Sequence, residues 1–318
     1  MRIVNRRHSI STLFGGALAL HAQQPQEDVI LRIDVDLVNI AFSVRNKSNA
    51  LVPTLTKDDF TIFEDGKQQT IKAFTRETDL PLTIGVLVDV SGSQERMIPE
   101  EKQAAGLFFE KVLRKKDMAF LISFGADARL LQDSTNSVRL LKRGLEDLRL
   151  SGGVGGLHPG PVPTSKQKGT ILYDTVYMAA DEKLKTEVGR KAIVVITDGV
   201  DYGSEYKLRD AIEKAHKCDT MIYSIYYVDP RAYGGFGGGD GDLRKMSEET
   251  GGRVFHVSRS NGLNEIFDQI QAEMRSQYML SYSSSNERKD GGFRKLELRT
   301  KDKSLKVQAR KGYYASKS

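Results

Sequence analysis

The feature that most restricts the fold is an alternation, between residues 80 and 275, of short apolar runs with amphipathic segments. Runs such as AIVVIT are almost wholly aliphatic, which is typical of strands buried on both faces of a parallel sheet. Strands and helices that alternate along the chain predict a doubly wound, mainly parallel, Rossmann-like α/β sheet. The predicted strands are Leu82–Val88, Met118–Phe124, Ala192–Thr197, Thr220–Val228 and Arg253–Val257.

Amphipathic segments between these runs predict helices that pack on the sheet. Residues 99–116 carry Ala104, Phe108 and Val112 at helical spacing. The same spacing of apolar residues recurs at 138–148 and in the segment from about Asn261 to Arg275. Each of these segments is expected to turn one apolar stripe inward and to leave its polar face in water.

The stretches on either side of the α/β region carry apolar residues at alternate positions, as in VNIAFSV before it and FRKLELRT after it. Period-two alternation predicts half-buried strands, and Asp65-Gly66 is a hairpin turn signal. About three short strands on each side are marginal for independent stability. We therefore expect residues 28–79 and 276–315 to form one β-sandwich-like domain, with the domain of residues 80–275 inserted between them.

The first 22 residues have the features of a secretory signal peptide. MRIVNRRH is basic, and ISTLFGGALAL is a short apolar run that ends near Ala22. The run is about half as long as the roughly 20 residues of a membrane span, which disfavours a retained anchor. Arg6 and Arg7 leave a twin-arginine export route open. We expect the mature chain to be exported, with no membrane span, into the periplasm, onto the cell surface or into the medium.

Charge and cysteine content disfavour several classes of function. Loss of residues 1–22 removes three arginines, which lowers the formal net charge from +6 to +3. Mixed charge of this size does not suggest a nucleic-acid-binding surface. Cys218 is the single cysteine of the sequence, so an intramolecular disulfide is not available. The five histidines, at positions 8, 21, 158, 216 and 256, lack the spacing of zinc ligands.

Polar side chains follow two of the predicted strands at their carboxyl ends. Asp89, Ser91 and Ser93 leave the first strand as D-x-S-x-S, and Asp198 follows AIVVIT. Ligand sites of open parallel sheets form at this edge, and the hydroxyl of Thr170, at a predicted helix start, can turn toward the same point. Carboxylate and hydroxyl oxygens suit Mg²⁺, Ca²⁺ or Mn²⁺ better than zinc. We expect these five residues to bind a divalent cation, with Mg²⁺ preferred.

Charge counting indicates what a cation bound in this way would do. Two carboxylates neutralise a divalent ion formally, whereas three hydroxyls hold it without adding charge. An octahedral ion keeps some water ligands, and a carboxylate from another molecule would replace one of them more favourably than a neutral group would. Taken alone, D-x-S-x-S is equally compatible with a helix N-cap. The addition of Thr170 and Asp198 favours the metal site.

This set of residues resembles the metal-ion-dependent adhesion site (MIDAS) of von Willebrand factor type A (VWFA) domains. That motif consists of D-x-S-x-S, a later threonine and a later aspartate in a T-D-G turn; here DVSGS, KGT and TDG fill every position. The resemblance implies that the serines and the threonine contact the metal and that the aspartates do so directly or through water. Gln94 departs from the methionine that many family members carry there.

The sequences outside the α/β region resemble the bacterial exported VWFA-related proteins of the Acidobacteria type, over LVNIAFSVRNKSNALVPTLTKDDFTIFEDGKQQTIKAFTRE and over QYMLSY with ARKGYYA. The leading functional interpretation is a metal-dependent binding or adhesion module, not an enzyme, that recognises an exposed Asp or Glu of a partner protein. One alternative is a structural role in an envelope assembly, with the metal only holding the fold.

An enzyme is the less favoured alternative. A hydrolase would use Ser91 or Ser93 as the nucleophile and would need a base beside it, but the sequence cannot place His158, His216 or His256 there. The serines also lack a G-x-S-x-G elbow. The glycine-rich stretches 151–169 and 233–242 do not match nucleotide-binding motifs.

Overall fold

The computed structural model describes residues 37–76, 80–150, 169–229 and 239–317. The predicted signal peptide lies outside these ranges, as does the beginning of the first flanking stretch. Residues 151–168 and 230–238, which contain most of the two glycine-rich stretches, lie outside them as well.

The centre of the α/β part is a sheet to which the described residues contribute six strands in the order β10-β9-β8-β5-β6-β7. All neighbouring strands are parallel except β7, which runs antiparallel to β6. The doubly wound, mainly parallel sheet predicted from the sequence is therefore confirmed. The strands are β5 (Leu82–Asp89), β6 (Met118–Phe124), β7 (Ala128–Thr135), β8 (Arg190–Thr197), β9 (Thr220–Tyr226) and β10 (Val254–His256).

Helices cover both faces of this sheet. In the described ranges, one face carries the first, second and last helices and the other carries the middle three, and each face has its own apolar core. A right-handed crossover after each parallel strand explains this arrangement. The helices are α1 (Ile98–Val112), α2 (Val138–Glu146), α3 (Leu172–Met178), α4 (Leu208–Lys217), α5 (Asp240–Thr250) and α6 (Leu263–Arg275), and α3 continues as a π-helical turn over Ala179–Leu184.

Strand β5 is the most enclosed strand, because all eight of its residues are buried. Gly85 at its middle leaves room for a neighbouring ring: a Cβ atom there would lie 2.3 Å from Cζ of Phe120 on β6. The lack of a side chain at this position therefore leaves the space that the Phe120 ring occupies over β5.

The flanking stretches form two four-stranded antiparallel sheets, in the orders β13-β1-β11-β4 and β14-β12-β2-β3. Each sheet contains strands from before and after the α/β part, and their apolar faces share one core. This is the β-sandwich-like arrangement predicted from the sequence. The strands are β1 (Leu37–Arg45), β2 (Phe60–Glu64), β3 (Lys67–Gln69), β4 (Ile71–Arg76), β11 (Tyr278–Ser283), β12 (Phe293–Thr300), β13 (Lys306–Ala309) and β14 (Gly312–Tyr314).

The hairpin between β2 and β3 turns at Asp65-Gly66, as predicted. Both residues have positive φ, at 47° and 81°. Type I′ turns require positive φ at both central positions and match the right-handed twist of a hairpin. Aspartate and glycine adopt this conformation readily, which is why the pair could be recognised in the sequence.

Buried charges connect helix α6 to the flanking sheet. Glu273, near the end of α6, is fully buried and forms ion pairs with Arg45 on β1 and, at 3.1 Å, with Arg253. A buried carboxylate needs such partners because desolvation without them costs several kcal/mol. None of the helices in the described ranges is long and apolar enough to cross a membrane.

Candidate metal centre

The two predicted carboxylates lie at the carboxyl ends of adjacent parallel strands. Asp89 is the last residue of β5, and Asp198 directly follows β8. Val88 pairs with Ile196 in the parallel ladder, so the two chains leave the sheet side by side. Both aspartates are almost fully enclosed, with exposures of 0% and 1%. The fold therefore brings two buried negative groups to one edge of the sheet.

The serines of D-x-S-x-S connect these carboxylates through a chain of hydrogen bonds. The backbone N–H of Ser91 donates to Oδ1 of Asp89 at 2.9 Å. The hydroxyl oxygens of Ser91 and Ser93 are 3.0 Å apart, and Ser93 donates to Oδ2 of Asp198 at 2.6 Å. Four of the five predicted ligands thus form one continuous cluster of oxygens. Both serines are partly exposed, so the cluster can be reached from solvent on their side.

Helix capping does not account for these serines. A short 3₁₀ turn, Gly92–Gln94, follows Ser91, and Ser91 makes no side-chain capping hydrogen bond to it. Helix α1 begins later, after Met97, again without a side-chain cap. The hydroxyl groups face each other and Asp198 instead of the helix N–H groups.

Thr170 lies in the loop that leads into α3, and its backbone is anchored at the same edge of the sheet. Its carbonyl oxygen accepts hydrogen bonds from the N–H groups of Tyr202 and Gly203, in the loop that follows Asp198. The next N–H, that of Ile171, donates to the carbonyl of Gly125, just after β6. The segment is therefore held between the loops that follow β6 and β8. The role of the threonine hydroxyl as a ligand stays a prediction.

Thr197 contributes to the site but was not among the predicted residues. Its hydroxyl donates to Oδ2 of Asp89 at 2.6 Å and accepts from the N–H of Gly199 at 3.0 Å. It thereby fixes the rotamer of the Asp89 carboxylate and the start of the following turn. The sequence signal is the threonine of T-D-G, a polar residue at the end of an otherwise aliphatic strand.

Burial makes the charge of Asp89 unfavourable in the metal-free protein. It raises the pKa of Asp89 from 3.8 to about 6; the hydrogen bonds from Thr197 and Ser91 oppose the increase, and the charge of Asp198 adds to it. A second carboxyl group, Glu101 on α1, is also fully buried. Burial, followed by the charges of Asp89 and Glu100, holds the pKa of Glu101 well above 4.5.

Glu101 and Gln94 form the inner side of the site. Neither carboxyl oxygen of Glu101 has a hydrogen-bond partner among the described residues, which suits a protonated and not an ionised group. Gln94 is fully buried, and its amide nitrogen donates to the carbonyl oxygen of Tyr227 at 3.3 Å. Gln94, which departs from the family pattern, thus connects the turn after Ser93 to the end of β9.

The donor set fits a hard divalent cation. Two buried carboxylates meet two neutral hydroxyls, and such oxygen ligands match Mg²⁺, Ca²⁺ and Mn²⁺. The described ranges contain no group of three or more His, Cys, Asp or Glu side chains placed so that they could together hold a metal ion. A site with two carboxylates that is otherwise built from hydroxyls does not require such a cluster.

Two of the residues considered for an enzyme, His216 and Lys191, lie at the opposite edge of the sheet from Asp89. The His256 side chain forms a hydrogen bond with Asp240 at 2.8 Å. His216 lies at the end of α4, near the start of β9, which is at the opposite edge of the sheet from Asp89. A phosphoryl-transfer enzyme that used Asp89 would need a lysine near the T-D-G turn; Lys191 lies at the amino end of β8, at the other end of the strand from Asp198. His158 falls outside the described residues.

Comparison with known proteins gave similarity at the level of fold. No family model and no curated protein matches the sequence. The similar solved structures include BatB from Bacteroides thetaiotaomicron, with 19% identity, coverage of 61% of this chain and 97% of that chain, and a TM-score of 0.45. A von Willebrand factor type A protein from Catenulispora acidiphila has 13% identity, coverage of 82% and 74%, and a TM-score of 0.46.

A third similar structure is that of proximal thread matrix protein 1 from the mussel byssus, determined with a zinc-occupied MIDAS motif. It has 14% identity, coverage of 66% of this chain and 49% of that chain, and a TM-score of 0.47. The α/β part of the present protein is a doubly wound domain with a D-x-S-x-S loop at the carboxyl end of its central strand. This arrangement is similar to the von Willebrand factor type A structure from Catenulispora acidiphila.

Proposed function

We propose that this protein is an exported, metal-ion-dependent binding module that recognises an acidic group of a partner protein. The hydrogen bond between Ser93 and Asp198 is the main support, because it joins the loops after two adjacent strands into one oxygen cluster. Asp89, Ser91, Ser93, Thr170 and Asp198 are the proposed ligands, and Mg²⁺ is the preferred ion.

Burial and charge support an approach of the partner from the side of Ser91 and Ser93. The aspartates lie inside, whereas Ser91 and Ser93 are partly exposed. A divalent ion held by two carboxylates is formally neutral and keeps water ligands on its open side. An Asp or Glu side chain of a partner that replaces such a water gains a direct ionic contact, which a neutral donor does not.

Metal binding is tested first, by calorimetric titration of the chelator-treated protein with MgCl₂. We expect saturable binding by the wild type, and binding at least about tenfold weaker for Ser93→Ala, because loss of one oxygen ligand costs more than about 1.4 kcal/mol. Ser260→Ala removes an exposed hydroxyl far from the site in sequence and serves as the matched control. Absence of heat and of any thermal stabilisation with Mg²⁺, Ca²⁺ and Mn²⁺ would contradict the proposed site.

Partner recognition is tested by affinity capture from envelope extracts of the producing organism, in MgCl₂ and in EDTA. We expect capture only with the metal and only by the wild type and Ser260→Ala. Capture that persists in excess EDTA would contradict the proposal. A large loss of thermal stability in EDTA with unchanged capture would instead favour the structural role of the metal. Sequencing of the mature N-terminus tests export, with cleavage expected near Ala22.

A further inference from the structure

A cavity of about 250 Å³ lies at the edge of the central sheet opposite to the metal site. It is bounded by the amino ends of β8 and β9 and by the outer face of the sheet that contains β1 and β11. We call it the basal cavity, and its lining includes Ala41, Met279, Lys191, Met221, His216 and Arg310. It lies between the α/β part and the flanking strands, a preferred position for ligand sites.

The flanking sheet supplies an apolar wall to the basal cavity. Ala41 on β1 and Met279 on β11 are direct partners in the antiparallel ladder, so their side chains lie on the same face. The neighbouring positions Ile40 and Leu280 point the other way, into the core shared by the two flanking sheets. Met221, at the start of β9, adds an apolar surface from the α/β side. The wall is therefore suited to the hydrocarbon part of a ligand.

The charged groups around the cavity are mostly cationic. Arg190, Lys191 and Arg310 line it together with one carboxylate, that of Asp219. Arg310 forms an ion pair with Asp219. The side chain of Lys191 is half-buried, and its ammonium group has no hydrogen-bond or ion-pair partner among the described residues. The cavity lining thus has three cationic side chains and one carboxylate, and the Lys191 ammonium group is not paired with a described carboxylate.

Two further nitrogen groups in the wall lack acceptors. His216 is 4% exposed, and neither of its ring nitrogens has a hydrogen-bond partner within the described ranges. Nε of Arg310 also lacks a partner there. Burial, followed by the charge of Arg310, lowers the pKa of His216 to about 4, so the ring is neutral near pH 7 and carries one N–H donor. Buried N–H groups without acceptors are uncommon in folded proteins, and an anion would supply the acceptor.

We propose that the basal cavity binds a small organic anion, namely a monocarboxylate with an apolar or aromatic body. The cationic side chains and N–H donors would hold the carboxylate, and Ala41, Met221 and Met279 would contact the body. The volume is sufficient, since a cavity of about 150 Å³ lined by apolar residues holds benzene. Because both parts of the structure contribute to the walls, a bound anion would also stabilise their packing.

The proposal is tested by calorimetry and thermal melts of the full mature chain in EDTA, with three probes. Benzoate has a negative charge and an aromatic ring, and benzamide has the same ring without the charge. Inorganic phosphate has negative charge but no apolar part. We expect saturable binding of benzoate, at least about tenfold tighter than benzamide or phosphate, with an increase in melting temperature. No saturable binding of benzoate at about 20 mM, or equal binding of benzamide or phosphate, would overturn the proposal.

Variants connect the binding to this cavity. Lys191→Gln removes a cation that has no partner, and we expect it to weaken benzoate binding at least about fivefold. Lys245→Gln, at an exposed position of α5, is the matched control and is expected to bind like the wild type. Ala41→Leu fills the cavity and is expected to abolish binding. Wild-type affinity in both Lys191→Gln and Ala41→Leu would refute the site, whereas the MgCl₂ response of all three variants is expected to be unchanged.

Discussion

Replacement of Asp89 by asparagine is expected to stabilise the metal-free protein at neutral pH while abolishing its response to Mg²⁺. The substitution keeps the size of the side chain and removes its charge. An asparagine oxygen can still accept from the N–H of Ser91, and the amide can donate to the hydroxyl of Thr197, which has a second lone pair. The fold is therefore expected to tolerate the change.

The magnitude follows from the pKa of Asp89, about 6 in the fold against 3.8 for the free group. At about 1.4 kcal/mol per tenfold change in proton affinity, ionisation in the fold costs about 3 kcal/mol. Because the folded-state pKa is the higher one, this cost is absent below the unfolded-state pKa and complete above about pH 6. The charge of Asp198 contributes to the increase in the pKa of Asp89.

Urea denaturation in EDTA at about pH 4.5 and about pH 7.5 measures the effect. The stability of Asp89→Asn relative to wild type should increase by about 2 kcal/mol between these two pH values. The exposed Asp147→Asn is the control and should show no such change. With MgCl₂ at about 100 times the dissociation constant, the wild type should gain about 2.7 kcal/mol and the variant none. A variant that is less stable than wild type in EDTA at both pH values, by the same amount, would refute the reasoning.

Three further substitutions test the packing of the central sheet and of the flanking sheets. Gly85→Ala places a methyl group 2.3 Å from a ring carbon of Phe120, so we expect a loss of about 1–3 kcal/mol in urea denaturation. Glu64→Gln replaces a buried carboxylate that accepts hydrogen bonds from hydroxyl groups in the flanking sheets, and a loss of about 1–3 kcal/mol is expected by the same measurement. Arg45→Met leaves Glu273 with fewer partners, which should lower the melting temperature by several degrees.

The central strands of the α/β part could be predicted because burial on both faces leaves a continuous apolar run. The edge strand β7 could not be predicted, because its residues are half-buried or exposed and the sequence ARLLQDST shows no clear period. Its antiparallel pairing with β6 depends on a tight connection between them that pattern alone does not reveal. The strands of the flanks were visible as alternation, but their division between two sheets depends on pairings over more than 200 residues of sequence.

Asp89 and Asp198 were predictable as site residues, because both stand at the carboxyl ends of predicted parallel strands, where ligand sites of open sheets form. Ser91 and Ser93 were predicted as ligands because they follow Asp89 at the same edge of the sheet. Helical spacing places Glu101 on the same stripe as Ala104 and Phe108, but a charged residue within an apolar stripe does not by itself reveal that it is fully buried. The proximity of Glu101 to Asp89 depends on the tertiary position of α1, which the local sequence does not give.

Helix α6 leads from the α/β part directly into β11 of the flanking sheet, and its buried residue Glu273 limits how the helix can move. An axial shift of α6 alone would separate Glu273 from Arg45 on β1 and leave a buried carboxylate short of partners, at a cost of about 3–5 kcal/mol. That exceeds the coupling of about 1–3 kcal/mol that usually links two ligand sites. If occupancy of the metal site displaces α6, the flanking sheet is therefore expected to move together with the helix. The walls of the basal cavity would then change as well, because β1 and β11 form one side of it.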